Sequence, residues 1–103
     1  MGLFDTLFHR PNLEEGLQQW KATPGAVLLD VRTPAEYLGG HIPGAVNRPL
    51  DRLQVEDLPK EAPLFVYCLS GARSAQACQL LRRQGREAVN IGGIGGYRGT
   101  LER

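Results

Sequence analysis

One stretch constrains this chain more than any other. It runs from Leu64 to Gly85 and reads LFVYC, then LSGA, then RSAQACQLLRRQG. Leu64, Phe65, Val66, Tyr67 and Cys68 form a short apolar run rich in β-formers, which predicts a buried strand. From Arg73 to Gln84 the apolar positions Ala77, Cys78, Leu80 and Leu81 are interleaved with Gln76, Gln79, Arg82 and Arg83. That pattern predicts a helix with one buried face, and Gly85 is placed to end it. The loop from Cys68 to Arg73 is too short to do much except fold around itself.

Such a loop favours an anion at its centre. A helix N-terminus leaves backbone N–H groups unpaired and carries partial positive charge. Gly71 lets the backbone take positive φ and approach a ligand closely. Ser70 and Ser74 add hydroxyls, and Arg73 adds a permanent cation. A cysteine facing these groups is expected to ionise more readily than a free thiol and to act as a nucleophile. A cysteine at a strand end is also a common core residue, so the loop alone leaves the two readings open.

Elsewhere strand and helix patterns alternate. Asn12, with Glu15 three residues later, opens a helix that carries Leu13, Leu17 and Trp20 on one face. Pro24-Gly25 makes a turn, and Ala26–Val31 reads as a buried strand ending in polar Arg32. Thr33 and Pro34 start a second helix as N-cap and first residue, and Gly39-Gly40 ends it. His41–Gly44 is a turn and Ala45–Asn47 a short strand. Pro49–Asp57 holds a helical turn or two that packs Leu50, Leu53 and Leu58. Ala88–Ile91 is the last strand, followed by the glycine-rich Gly92–Tyr97. The alternation predicts an α/β sandwich with a mostly parallel central sheet flanked by helices. Ligands of such sheets sit beyond the carboxyl ends of strands, where Cys68 falls.

The 103 residues suit one domain, read as residues 12–103 behind an N-terminal tether over 1–11. A net charge of +1, with scattered basic residues, gives no electrostatic case for nucleic acid or an anionic membrane. Two cysteines and no secretory signal point to a reducing, cytoplasmic setting. Met1-Gly2 with Thr6 formally matches a myristoylation signal, and the match is loose enough to be chance. Two cysteines ten residues apart and two distant histidines build no zinc pattern, so no metal is expected.

Three segments resemble the rhodanese (sulfurtransferase) family in its single-domain form. LLDVRTPAEYLGGHIPGAVNRPL at 28–50 resembles the family's first signature, YCLSGARSA at 67–75 its active-site loop, and NIGGIGGY at 90–97 the glycine-rich stretch after the last strand. The resemblance implies the rhodanese-like three-layer sandwich and a cysteine that carries sulfane sulfur as a persulfide. That role maps onto Cys68, with Leu69, Ser70, Gly71, Ala72 and Arg73 as the surrounding anion-binding loop. No cofactor is implied. The implied partners are a small-molecule sulfur donor such as thiosulfate or a persulfide-bearing protein, and a cyanide or thiol acceptor. Tyr97 stands where many relatives place tryptophan, and the loop lacks an extra basic residue found in relatives that use thiosulfate well.

A thiolate attacks a sulfane sulfur without moving a proton at that centre, so the chemistry needs no separate general base. Arg73 has two open roles, binding an anionic donor or tying the loop to a carboxylate. Asp30, Arg32, Glu36 and His41 are read as groups whose hydrogen bonds hold strand and loop together. Cys78, on the apolar side of the central helix, is read as a small buried hydrophobe rather than a resolving cysteine. Two other functions compete. Phosphatases and arsenate reductases carry a similar loop with one more residue between cysteine and arginine. Non-catalytic rhodanese-like binding modules often lack the cysteine, which this chain keeps.

Overall fold

The computed structural model describes residues 11–103, so the expected tether falls outside the described residues apart from Pro11. Asn12 caps α1 (Leu13–Ala22), its Oδ1 accepting the Glu15 N–H at 3.1 Å. Thr33 caps α2 (Pro34–Leu38) through a complete capping box. Thr33 Oγ1 accepts the Glu36 N–H at 3.2 Å, and Glu36 Oε1 accepts the Thr33 N–H at 2.9 Å. Both helix starts follow the polar residues that the sequence places there.

Four strands, β1 (Val27–Asp30), β2 (Val46–Asn47), β3 (Leu64–Cys68) and β4 (Ala88–Gly93), form one parallel sheet in the order β2-β1-β3-β4. α3 (Ala72–Arg83) crosses from β3 to β4. The period of two along each strand sorts side chains between two cores. Leu28, Phe65, Tyr67 and Ile91 face Leu13 and Leu17 of α1. Leu29, Val31, Leu64, Val66 and Cys68 face Ala77, Cys78 and Leu81 of α3. β3 is buried along its whole length because helices cover both faces. Burying each large aliphatic side chain here stabilises the sandwich by about 1.5–3 kcal/mol. The result is the three-layer α/β sandwich expected from the alternation.

The differences from expectation are local. β1 is one residue shorter at each end than Ala26–Val31. Pro49–Asp57 contributes a single 3₁₀ turn, Leu50–Arg52, because Pro49 offers no side-chain cap and Leu53 is already extended (ψ 91°). Leu50, Leu53 and Leu58 still pack against the α3-side core. α3 begins at Ala72, one residue before Arg73. It ends as expected at Gly85, whose φ of +84° completes a Schellman cap with Arg86 N–H on Leu81 O at 2.9 Å.

β4 runs two residues past Ile91. Val66 pairs with Asn90 while Tyr67 pairs with Gly92, so Ile91 is a bulge residue and pairing resumes through Cys68 and Gly93. That bulge lies beside the functional loop. No helix among the described residues is long and apolar enough to cross a membrane.

Candidate active site

Cys68 is the last residue of β3, and the chain turns within three residues into α3. The turn depends on Gly71, which sits at φ +98° as the helix N-cap and supplies no side-chain acceptor of its own. The acceptor is the cysteine sulfur. Sγ of Cys68 receives the Gly71 N–H at 3.0 Å and the Ser74 N–H at 3.4 Å, and lies 3.5 Å from Ser74 Oγ. Ser70 Oγ accepts the Ala72 N–H at 3.4 Å. The sulfur thus does for α3 what a serine or aspartate oxygen does at an ordinary N-cap.

Electrostatics follow from those contacts. Burial pushes the Cys68 thiol up; hydrogen bonds from the Ser74 hydroxyl and from the Ser74, Gly71 and Ser70 N–H groups outweigh it, leaving the thiol below its ordinary value. The direction is the expected one, and the Arg73 guanidinium, which interacts electrostatically with Cys68, is also paired with a carboxylate. Arg73 Nη1 and Nη2 donate to Glu36 Oε1 and Oε2 at 2.7 and 3.0 Å. Of its two open roles, the structure shows the tie to a carboxylate. The Arg73 fork, followed by the Thr33 bonds, holds the Glu36 carboxyl down at about 2 against its own desolvation.

Leu69, Ser70 and Ala72 are exposed and form the rim, while Cys68 itself is buried beneath them. The rim is held from behind by the glycine-rich stretch after β4. Cys68 O accepts the Ile94 N–H and Leu69 O accepts the Gly95 N–H, both at 2.9 Å. A Cβ at Gly93 would overlap the Leu69 carbonyl oxygen, so glycine is what allows that close approach. Two clefts, one lined by Asn12, Leu13 and Tyr97 and the other by Pro34, Arg52 and Asp57, are not lined by Cys68. The hydrogen-bonding geometry around the sulfur, not a cleft, singles out the loop.

The polar residues of the first signature brace the strand ends. Arg32 Nη2 bonds Asp30 Oδ2 and Gly40 O, each at 2.7 Å, in a buried pair. His41 Nδ1 lies 2.9 Å from Tyr37 O, and its ring stacks on Tyr37 at 3.7 Å. Cys78 is buried among Ala77, Leu81 and the β3 side chains, where burial pushes its thiol up to about 11. It is a neutral packing group at ordinary pH.

One residue near the sulfur was not singled out in the sequence, although it opens the NIGGIGGY stretch. Asn90 of β4 accepts the Ser74 hydroxyl on Oδ1 at 2.7 Å and the Gly92 N–H at 3.0 Å, and its Nδ2 donates to Gly71 O at 3.2 Å. Its place at the head of NIGGIGGY, a lone polar residue between Val89 and Ile91 just before a run of glycines, is the signal that could have found it.

A parallel α/β sandwich whose central strand ends in a cysteine facing helix N-terminal amides defines a class of fold and site. The sequence narrows it further: the Rhodanese-like domain family matches residues 13–100, and the chain belongs to that family. It is 43% identical to a sulfurtransferase of Allochromatium vinosum, over 69% of each chain. It is 37% identical to the thiosulfate sulfurtransferase PspE of Escherichia coli, over 64% of this chain and 68% of that one. Two relatives from Bacillus subtilis and Synechocystis are matched over 56% and 42% of their own lengths. Among solved structures, a rhodanese-like domain protein from Staphylococcus aureus superposes with a TM-score of 0.77 at 29% identity, covering 88% of this chain and 93% of that one.

Proposed function

We propose that this domain transfers sulfane sulfur through a persulfide on Cys68. The observation that supports this most directly is the pair of donors converging on Sγ, the Gly71 and Ser74 N–H groups, with the Ser74 hydroxyl beside them at 3.5 Å. In the first half-reaction the Cys68 thiolate attacks the outer sulfur of a donor such as thiosulfate. An S–S bond to Sγ forms, the donor's own S–S bond breaks, and sulfite departs with the electron pair. In the second, cyanide or a thiolate attacks the terminal sulfur, and Cys68 leaves as a thiolate. No proton moves at the reacting sulfur in either step.

The loop's part is electrostatic. Amides fixed by α3 and by the Leu69–Gly95 contact already point at the sulfur, so they need no reorganisation when negative charge develops there. Leu69, Ser70, Gly71 and Ala72 form the rim over which donor and acceptor approach, and Arg73 holds that rim to α2. A small inorganic donor and a protein-borne persulfide both satisfy this chemistry.

The test is intact mass after incubation with thiosulfate. One added sulfur atom is expected, removed again by cyanide with formation of thiocyanate, and both are absent in Cys68→Ser. Sulfur loading or thiocyanate formation that persists in Cys68→Ser places the chemistry elsewhere.

A further inference from the structure

We propose that Asn90 is a positioning residue for Cys68: it is the resting acceptor for the Ser74 hydroxyl proton, which turns to Sγ when the sulfur becomes an anion. The assignment rests on the persulfide role of Cys68 and deepens it. A serine hydroxyl has one proton, and three acceptors surround Ser74 Oγ: Asn90 Oδ1 at 2.7 Å, Gly71 O at 3.1 Å and Cys68 Sγ at 3.5 Å. The shortest contact is to Asn90. With the proton there, an Oγ lone pair is free to accept the Cys68 S–H. When the thiol loses its proton to solvent, Oγ loses that donor, and rotation of the hydroxyl gives the thiolate a further hydrogen bond beside those of the backbone N–H groups.

The rotation leaves no acceptor orphaned. Asn90 Oδ1 keeps the Gly92 N–H at 3.0 Å, and Gly71 O keeps both Asn90 Nδ2 at 3.2 Å and the Ala75 N–H at 3.1 Å. An unmade bond on a buried polar atom costs more than the bond itself is worth, so a network with a spare donor at each acceptor switches cheaply. The same contacts fix the orientation of the Asn90 amide, since its oxygen faces two donors and its nitrogen faces a carbonyl. The β4 bulge at Ile91 aims it there, letting Gly92 fold back onto the Asn90 side chain. The charged groups around the loop are already paired, Arg73 with Glu36 and Arg32 with Asp30, and Cys78 on the inner face of α3 is neutral. They leave the hydroxyl as the adjustable donor.

The experiment is the pH profile of iodoacetamide alkylation at Cys68, read by mass on the full chain and its variants, with folding checked by circular dichroism. Ser74→Ala is expected to raise the midpoint by about 1 unit, the loss of one charge-assisted hydrogen bond. Asn90→Asp keeps an acceptor for the hydroxyl but holds its proton with a full charge, and is expected to raise the midpoint as well. Once Ser74 is alanine there is no hydroxyl to hold, so adding Asn90→Asp should shift the midpoint by less than it does in the native background. Superimposable profiles for the native chain and Ser74→Ala overturn the proposal. So does full additivity in the double variant. If Ser74→Ala does not fold, an unshifted Asn90→Asp profile overturns it. Alkylation needs no sulfur transfer, so the sulfur-loading assay on the same samples reports separately on the persulfide role.

Discussion

Arg73 and Glu36 meet fork to fork, Nη1 to Oε1 at 2.7 Å and Nη2 to Oε2 at 3.0 Å, across 37 residues of sequence. The same Glu36 carboxylate closes the capping box at Thr33. One side chain therefore ties the start of α2 to the start of α3 and fixes the rim of the cysteine loop against the first signature. Two parallel charge-assisted bonds give this contact a defined orientation that a single-point lysine contact lacks.

That pairing predicts an acid-sensitive contribution to stability. The Glu36 carboxyl is held at about 2, below its unfolded value near 4.5, so it is the ionised form that favours the folded state. The contribution is fully present above about pH 4.5 and fades as pH falls towards 2. Glu36→Gln should lower the urea midpoint at pH 7, and the gap to the native chain should close at low pH. A gap that stays constant between pH 7 and pH 3 would show that the charge is not responsible.

Gly93 is expected to be intolerant of any side chain. An added Cβ overlaps the Leu69 carbonyl, which is backbone and cannot swing away. Gly93→Ala should cost about 1–3 kcal/mol in stability and should lower the rate of sulfur loading at Cys68 by displacing the loop. Native loading rates in a folded Gly93→Ala variant would show that the rim does not depend on this contact.

Cys78→Ala should separate the two cysteines. Cys78 is buried and neutral, so the variant should retain sulfur transfer to cyanide and to thiols while losing about 1 kcal/mol through a small cavity. Loss of turnover confined to thiol acceptors would instead assign it a resolving role.

What the sequence made legible was local. Thr33, Pro34 and Glu36 lie within one helical turn, and Gly85 stops α3 by its own backbone geometry, so their signals needed no partner far along the chain. Cys68 at a strand end before Gly71 was legible for the same reason. The contacts that finish the site join distant segments: Glu36 to Arg73, Asn90 to Ser74, Gly95 to Leu69. A carboxylate partner for Arg73 was one of two readings open in the sequence, but nothing in its spacing named Glu36. Asn90 heads a segment the sequence singled out, but its contact with Ser74 was not legible because it depends on a bulge, which is set by the register between β3 and β4 rather than by either strand alone. The segment Pro49–Asp57 holds the lower end of the one or two helical turns expected of it, the 3₁₀ turn Leu50–Arg52, because nothing caps it and Leu53 is already extended.

The size of the loop separates sulfur from phosphorus. Four residues lie between Cys68 and Arg73, and the amides of Gly71 and Ser74 close to within 3.4 Å of a single Sγ atom. That ring fits one sulfur. A phosphate or arsenate presents several charged oxygens and needs donors splayed around them. Helix electrostatics welcome either anion, which leaves ring size to decide. The native chain should therefore load sulfur and show no turnover of aryl phosphates above background. Inserting one glycine beside Gly71 should weaken sulfur loading by pulling the Gly71 N–H off the thiolate. Robust aryl-phosphate hydrolysis by the native chain, abolished in Cys68→Ser, would reverse the assignment.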